Sequence, residues 1–170
     1  DEAPVRVLAY VAQARLQGEL RRRGHAYSVR AGFDLRRGAG PFRVETAVAI
    51  ESTREALEIV LQAIDRMREG EIDQAALDRV QRAAMSYLWE GFETRSDAVQ
   101  TLSVPALRSE SVASFLERSA AFGKVSLDEV RAAAKDRLPT SLMQIVVVGD
   151  ARRVRPMLQK AGLGKVEMVE

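Results

Sequence analysis

Ten consecutive residues hold most of what this chain can offer a reaction: Leu20-Arg21-Arg22-Arg23-Gly24-His25-Ala26-Tyr27-Ser28-Val29. Arginine presents rigid, planar donors suited to a carbonyl or a carboxylate. Tyrosine adds a phenolic donor. Donors of these two kinds can hold a peptide carbonyl and stabilise an oxyanion. Arg21 and Tyr27 are therefore the candidate pair. A helix that ends at Arg23 and a strand that starts directly afterwards bring both side chains near one end of a sheet. The pair also has a plain reading, as a solvated helix end and a strand tyrosine facing the core.

Other chemistries lack their parts. His25 is the sole histidine and cysteine is absent, whereas a zinc site needs three or four convergent ligands, usually several of them His or Cys. A Ser-His-Asp triad would have to use His25. Ser28 is close in sequence, but strand alternation sends it to the face opposite Tyr27, and no acid is placed to orient the imidazole. Glu69/Glu71 and Asp128/Glu129 read as caps and surface charge. Gly38-x-Gly40 is followed by a strand and not by Lys-Ser/Thr before a helix, so it reads as a turn and not a phosphate loop.

The elements that position Arg21 and Tyr27 follow from periodicity. Val5, Leu8, Val11, Ala12, Leu16 and Leu20 predict a helix over 4–23. Arg21 to Arg23 suit the negative end of its dipole, and Gly24 suits its cap. Residues 25–36 alternate, with Tyr27, Val29, Ala31, Phe33 and Leu35 on one side. Residues 42–50 alternate again, and the turn cluster 37–41 between them makes an antiparallel hairpin. Ser52-Thr53-Arg54-Glu55 and Ser126-Leu127-Asp128-Glu129 both read as capping boxes. The first opens a helix striped with Leu57, Val60, Leu61, Ile64 and Met67, stopped by Glu69-Gly70-Glu71. Asp73 caps the next, with Leu77, Val80, Ala84, Tyr87 and Leu88 inward. Further helices are expected over 97–107, ending at Pro105, and over 111–122, anchored by Phe115 and Leu116. Another runs from the second box to Leu138. Met143–Val148 reads as a central strand, 151–161 as a helix and 166–169 as a last strand. The fold class is α+β: a mostly antiparallel sheet of four strands (25–36, 42–50, 143–148, 166–169) with helices on one face.

At 170 residues the chain reads as one domain over 1–170. Its 46% hydrophobic and 29% charged composition is ordinary for a globular protein. No apolar run approaches a membrane span, and Asp1-Glu2-Ala3-Pro4 lacks a signal-peptide layout. Absent cysteines fit a cytosolic protein, and the compartment, cytoplasmic or periplasmic, stays open. Net charge is +2, with nine arginines against five acids in residues 1–50. Without aromatic interleaving or a motif, nucleic acid is not the expected partner.

Five stretches in this order resemble the second half of insulinase-like (pitrilysin) zinc metallopeptidases: Arg15-Leu16-x-x-Glu19-Leu20-Arg21, Gly24-x-Ala26-Tyr27-Ser28-Val29, Gly40-Pro41-Phe42, Gly91-Phe92-Glu93-Thr94-Arg95 and Ile145-Val146-Val147-Val148-Gly149-Asp150. The resemblance implies a processing-peptidase-like half domain facing a second half across a closed chamber. It implies zinc in the complementary half, held by an inverted H-x-x-E-H motif that this sequence lacks. It assigns the peptide substrate contact to Arg21, or to Arg22 or Arg23 if the turn is rebuilt, and to Tyr27. The chain alone is then inactive, with the zinc-bearing half or partner subunit and a peptide as its partners. Strands ahead of the opening helix are implied by the resemblance and missing here, so an exposed sheet edge open to self-association is expected. The alternative is a non-catalytic structural or peptide-binding subunit of the same fold; a further one is a fold relative with an unrelated binding role.

Overall fold

The structure, a computed structural model, describes residues 3–34, 40–107, 109–138 and 143–169, and the side chains of Ala26, Tyr27 and Val104 fall outside that description. Its organising element is helix α1 (Ala3–Arg22). Val7, Leu8, Val11, Ala12, Leu16 and Leu20 recur every three or four residues and all are buried. The hairpin and four of the six other helices pack around this helix.

The hairpin comprises β1 (Ala26–Phe33) and β2 (Phe42–Val48), paired antiparallel. Val29 is buried, and Ala31, Phe33, Phe42, Val44 and Val48 pack against the core. Ser28, Arg30, Arg43 and Glu45 are exposed. The predicted alternation holds over residues 29–31 and 42–45 but not at Thr46, which is exposed; with α1 packed on β1, the class is α+β. The Asp34 amide donates to the Pro41 carbonyl at 3.1 Å and extends the pairing toward the turn. Leu35 to Ala39 lie outside the described residues, including most of the predicted turn. On the outer edge of β1, the Gln13 carboxamide donates to the Val29 carbonyl and accepts from the Ala31 amide. A side-chain amide stands there in the place of a neighbouring strand and closes part of an edge expected to be bare.

Two predicted strands are not formed. Among the described residues the sheet has two strands and not four. Met143–Val148 and the segment around Val166–Val169 carry no regular structure, and Val146 is 85% and Val148 96% exposed. An apolar run has strand propensity, but a strand exists only through a hydrogen-bonding partner. No described segment offers one here.

A short 3-10 turn, Ile50–Ser52, leads into α2 (Thr53–Arg68). The buried face of α2 is Ala56, Ile59, Val60, Ala63, Ile64 and Met67; the expected Leu57 and Leu61 lie at its margin. Gly70 (φ +93°) ends the segment, as predicted. Asp73 caps α3 (Gln74–Glu90), accepting from the Ala76 amide at 2.6 Å. Leu77 and Val80 are buried, but Tyr87 is exposed. Helix α4 (Arg95–Leu107) carries Pro105 inside it and does not stop there. In α5 (Val112–Phe122) the expected anchors Phe115 and Leu116 are only half-buried and exposed, respectively. Helix α6 (Leu127–Arg137) opens with the predicted capping box, and its Val130 and Ala134 enter the core. Helix α7 (Ala151–Ala161), capped by Asp150, rests on α2. No helix among the described residues is long and apolar enough to cross a membrane.

Candidate functional site

The candidate residues surround the junction between α1 and β1. Gly24, at φ +70°, ends the helix. Its amide donates to the Arg21 carbonyl and the His25 amide to the Leu20 carbonyl, both at 3.0 Å. This is the Schellman arrangement, which reverses the chain within two residues and needs a left-handed residue at Gly24. A Cβ at Gly24 would meet nothing within 4 Å, so backbone conformation and not space favours glycine.

Arg21, Arg22 and Arg23 are all exposed at the C-terminal end of α1, where cations are favoured by the helix dipole. Among the described residues Arg21 and Arg22 have no ion-pair partner, whereas Arg23 Nη1 meets Glu55 Oε1 at 3.1 Å. His25 Nε2 lies 3.0 Å from the other oxygen, Glu55 Oε2. That nitrogen is buried, and the contact is a close approach without hydrogen-bond geometry. The His25 imidazole first, and then Arg23, hold the Glu55 carboxyl below its ordinary value.

Tyr27 lies in β1, and its side chain is outside the description. Its backbone is informative. Ala26 pairs with Val48 and Val29 with Thr46, so Tyr27 and Ser28 together oppose Ala47. A β-bulge of this kind bends the strand and breaks its alternation. The expectation that strict period two separates Tyr27 from Ser28 therefore fails at this point. The Thr46 hydroxyl donates to the Ser28 carbonyl at 3.0 Å beside the irregularity. Bulges sit where a strand re-aims a side chain, and this one falls on the candidate tyrosine.

Glu55 was not among the residues expected at this site. Its spacing from Ser52 pointed to a capping box, and no local signal shows that it turns toward Arg23 and His25. His25 makes its polar contact with Glu55, and no hydroxyl among the described residues completes a triad with it. The groove lined by Gln13, Ala31, Phe33, Arg43 and Glu45 is shallow and follows the hairpin. A second groove, between α3 and Gly123 and flanked by Trp89, is remote in the chain from the candidate pair. Among the described residues no cluster of three or more His, Cys, Asp or Glu could hold a metal ion. The site offers exposed cationic donors beside a bulged strand, chemistry suited to holding a carbonyl or carboxylate.

Residues 2–84 match the family model of the peptidase M16 inactive domain. The fold is similar to the crystal structure of a peptidase M16 inactive domain from Pseudomonas fluorescens, at TM-score 0.68 and 21% identity, covering 82% of this chain and 34% of that one. It is also similar to a protease from Helicobacter pylori, at TM-score 0.60 and 14% identity over 76% of this chain and 34% of that one. A conserved protein from Enterococcus faecalis V583 gives TM-score 0.58 at 14% identity, over 76% and 32%. At these identities the likeness is one of fold, and the chain spans about a third of the length of each of these structures. No curated protein matches the chain. Family match and fold point the same way: residues 2–84 are similar to the peptidase M16 inactive domain, and the fold is similar to that of a solved example of that domain.

Proposed function

We propose that this chain is the non-zinc half of an insulinase-like peptidase, lining part of a substrate chamber closed by a zinc-bearing half. Arg21 and Tyr27 contact the peptide carbonyl next to the metal in that complementary half. The observation that carries this reading is the junction of α1 and β1, inside the matched residues 2–84. Supporting it are an exposed Arg21 with no ion-pair partner among the described residues, the chain reversal at Gly24, and the bulge in the β1 backbone at Tyr27 and Ser28. Zinc in the other half would activate water and polarise the scissile carbonyl. The residues of this chain hold the peptide and supply donors as negative charge develops on its oxygen.

The test is turnover with the zinc-bearing half supplied. Arg21→Ala and Tyr27→Phe are each expected to lower it about 100- to 1000-fold, the typical loss on removing one oxyanion donor. Stability should change little for the exposed Arg21. Full activity in both variants would sink the reading. Damage confined to Arg22→Ala or Arg23→Ala would move the arginine role by one or two positions. Alone, the chain is expected to cleave no peptide and to retain no zinc after dialysis. One tightly held zinc per chain with chelator-sensitive turnover would overturn the assignment.

A further inference from the structure

We propose that Glu55 is a positioning residue for this junction: from the first turn of α2, its two carboxylate oxygens grip both sides of Gly24 and set how β1 leaves α1. The inference rests on the proposed roles of Arg21 and Tyr27, since it concerns what holds them in place.

Three observations carry it. The contacts are split across the turn, with Oε1 on Arg23 at 3.1 Å and Oε2 on His25 at 3.0 Å. One carboxylate therefore ties the residue before the glycine to the residue after it. The second observation is the backbone between them. The Schellman bonds fasten the turn to the end of α1, but the bulge at Tyr27 and Ser28 interrupts the ladder just beyond. The strand is least constrained by β2 where the candidate tyrosine sits, and Glu55 brings a third element, α2, to bear on that point. The third observation is that α2 does not use Glu55 for its own start. Ser52 forms no side-chain cap, and the Glu55 carboxylate is spent on the turn.

A half-exposed surface ion pair contributes little to stability. Its value here is geometric, because a donor displaced by about 1 Å can lose about 100-fold in rate. This separates a positioning role from a structural one. Glu55→Ala should leave the melting temperature nearly unchanged. It should shift and broaden the backbone amide resonances of Gly24, His25 and Ala26, measured by NMR on this chain. With the zinc-bearing half supplied, it should lower kcat about 10-fold or more, with KM changed less. In a Tyr27→Phe background the same substitution should add little, since the donor it positions is already lost. Glu129→Ala, the same charge change at a cap in α6, is the control and should leave turnover unchanged.

Unmoved turn amides in Glu55→Ala would overturn the clamp whatever the enzymology shows. Moved amides with full turnover, while Arg21→Ala or Tyr27→Phe is damaged, would overturn the positioning role. A loss that simply adds to that of Tyr27→Phe would do the same, as would an equal loss in Glu129→Ala. If neither Arg21→Ala nor Tyr27→Phe affects turnover, the proposed function fails, and the amide shifts still decide whether Glu55 fixes the turn.

Discussion

The sequence contains the same helix-start signature twice, Ser52-Thr53-Arg54-Glu55 and Ser126-Leu127-Asp128-Glu129, and the two behave differently. Ser126 is extended (φ −80°, ψ 160°), its side chain accepts from the Glu129 amide, and Glu129 reaches back to Ser126. Ser52 is already helical (φ −91°, ψ −5°) and caps nothing. The cause lies upstream. Ala49 is extended and Ile50–Ser52 forms a 3-10 turn, so the helical path starts one turn before the signature. A residue already inside a turn cannot adopt the extended backbone that a cap requires. Glu55, released from capping, meets Arg23 and His25 instead. The signature reports side chains capable of a box, and the backbone before it decides whether the box forms.

The largest change in stability is expected at the turn that receives Glu55. Gly24→Ala should cost about 1–2 kcal/mol, because an alanine at φ +70° is strained even with open space around its Cβ. Chemical unfolding measures this. A silent Gly24→Ala would mean that the turn is not held in its left-handed form, and Glu55 would then be gripping a movable target. The serines should differ next. Ser126→Ala should cost about 1 kcal/mol, the usual value of a lost N-cap bond. Ser52→Ala should stay within about 0.5 kcal/mol, as for a surface residue with no special contact. Equal losses at the two serines would show that Ser52 caps α2 after all, and the contrast would collapse.

What was readable from the sequence follows the same division between local and distant causes. The α1 stripe, Gly24, Gly70, Asp73 and Ser126 all depend on neighbours a few residues away, and all are found where the residue types place them, save that Val7 and not the expected Val5 is buried at the start of the stripe. Arg21 and Tyr27 were named from their types and from resemblance, and the structure adds the turn at Gly24 and the bulge formed by Tyr27 and Ser28. The bulge itself needs the register against β2, which no alternation pattern reports. Met143–Val148 needed a partner strand, and its apolar residues say nothing about whether one is present. Tyr87 and Leu116 sit at helical spacing with core residues yet remain exposed, because which face of a helix is covered depends on elements far along the chain. Glu55 is the sharpest instance: its true contacts lie 30 and 32 residues back in sequence.

The smallest expected effect separates the two glutamates by the origin of their stabilisation. Glu55 is held below its ordinary carboxyl value by His25 and Arg23, Glu129 by the backbone and side chain of Ser126. A carboxyl whose folded value is depressed contributes stability above its unfolded value, and loses it as pH falls through the folded one. The unfolding free energy of the parent chain minus that of Glu55→Ala should therefore shrink from pH 7 into the acid range. The same should hold for Glu129→Ala, so acid alone does not distinguish them. Salt should. Charge–charge contacts at the surface weaken as the screening length falls from about 10 Å at 0.1 M to about 3 Å at 1 M salt. A carboxylate bonded to a backbone amide and a hydroxyl has no partner charge to screen. At pH 7 the Glu55→Ala difference should decline with salt while the Glu129→Ala difference persists. Equal salt sensitivity would mean that Glu55 is not held by the Arg23 charge in solution, and the two helix starts would differ only in backbone geometry.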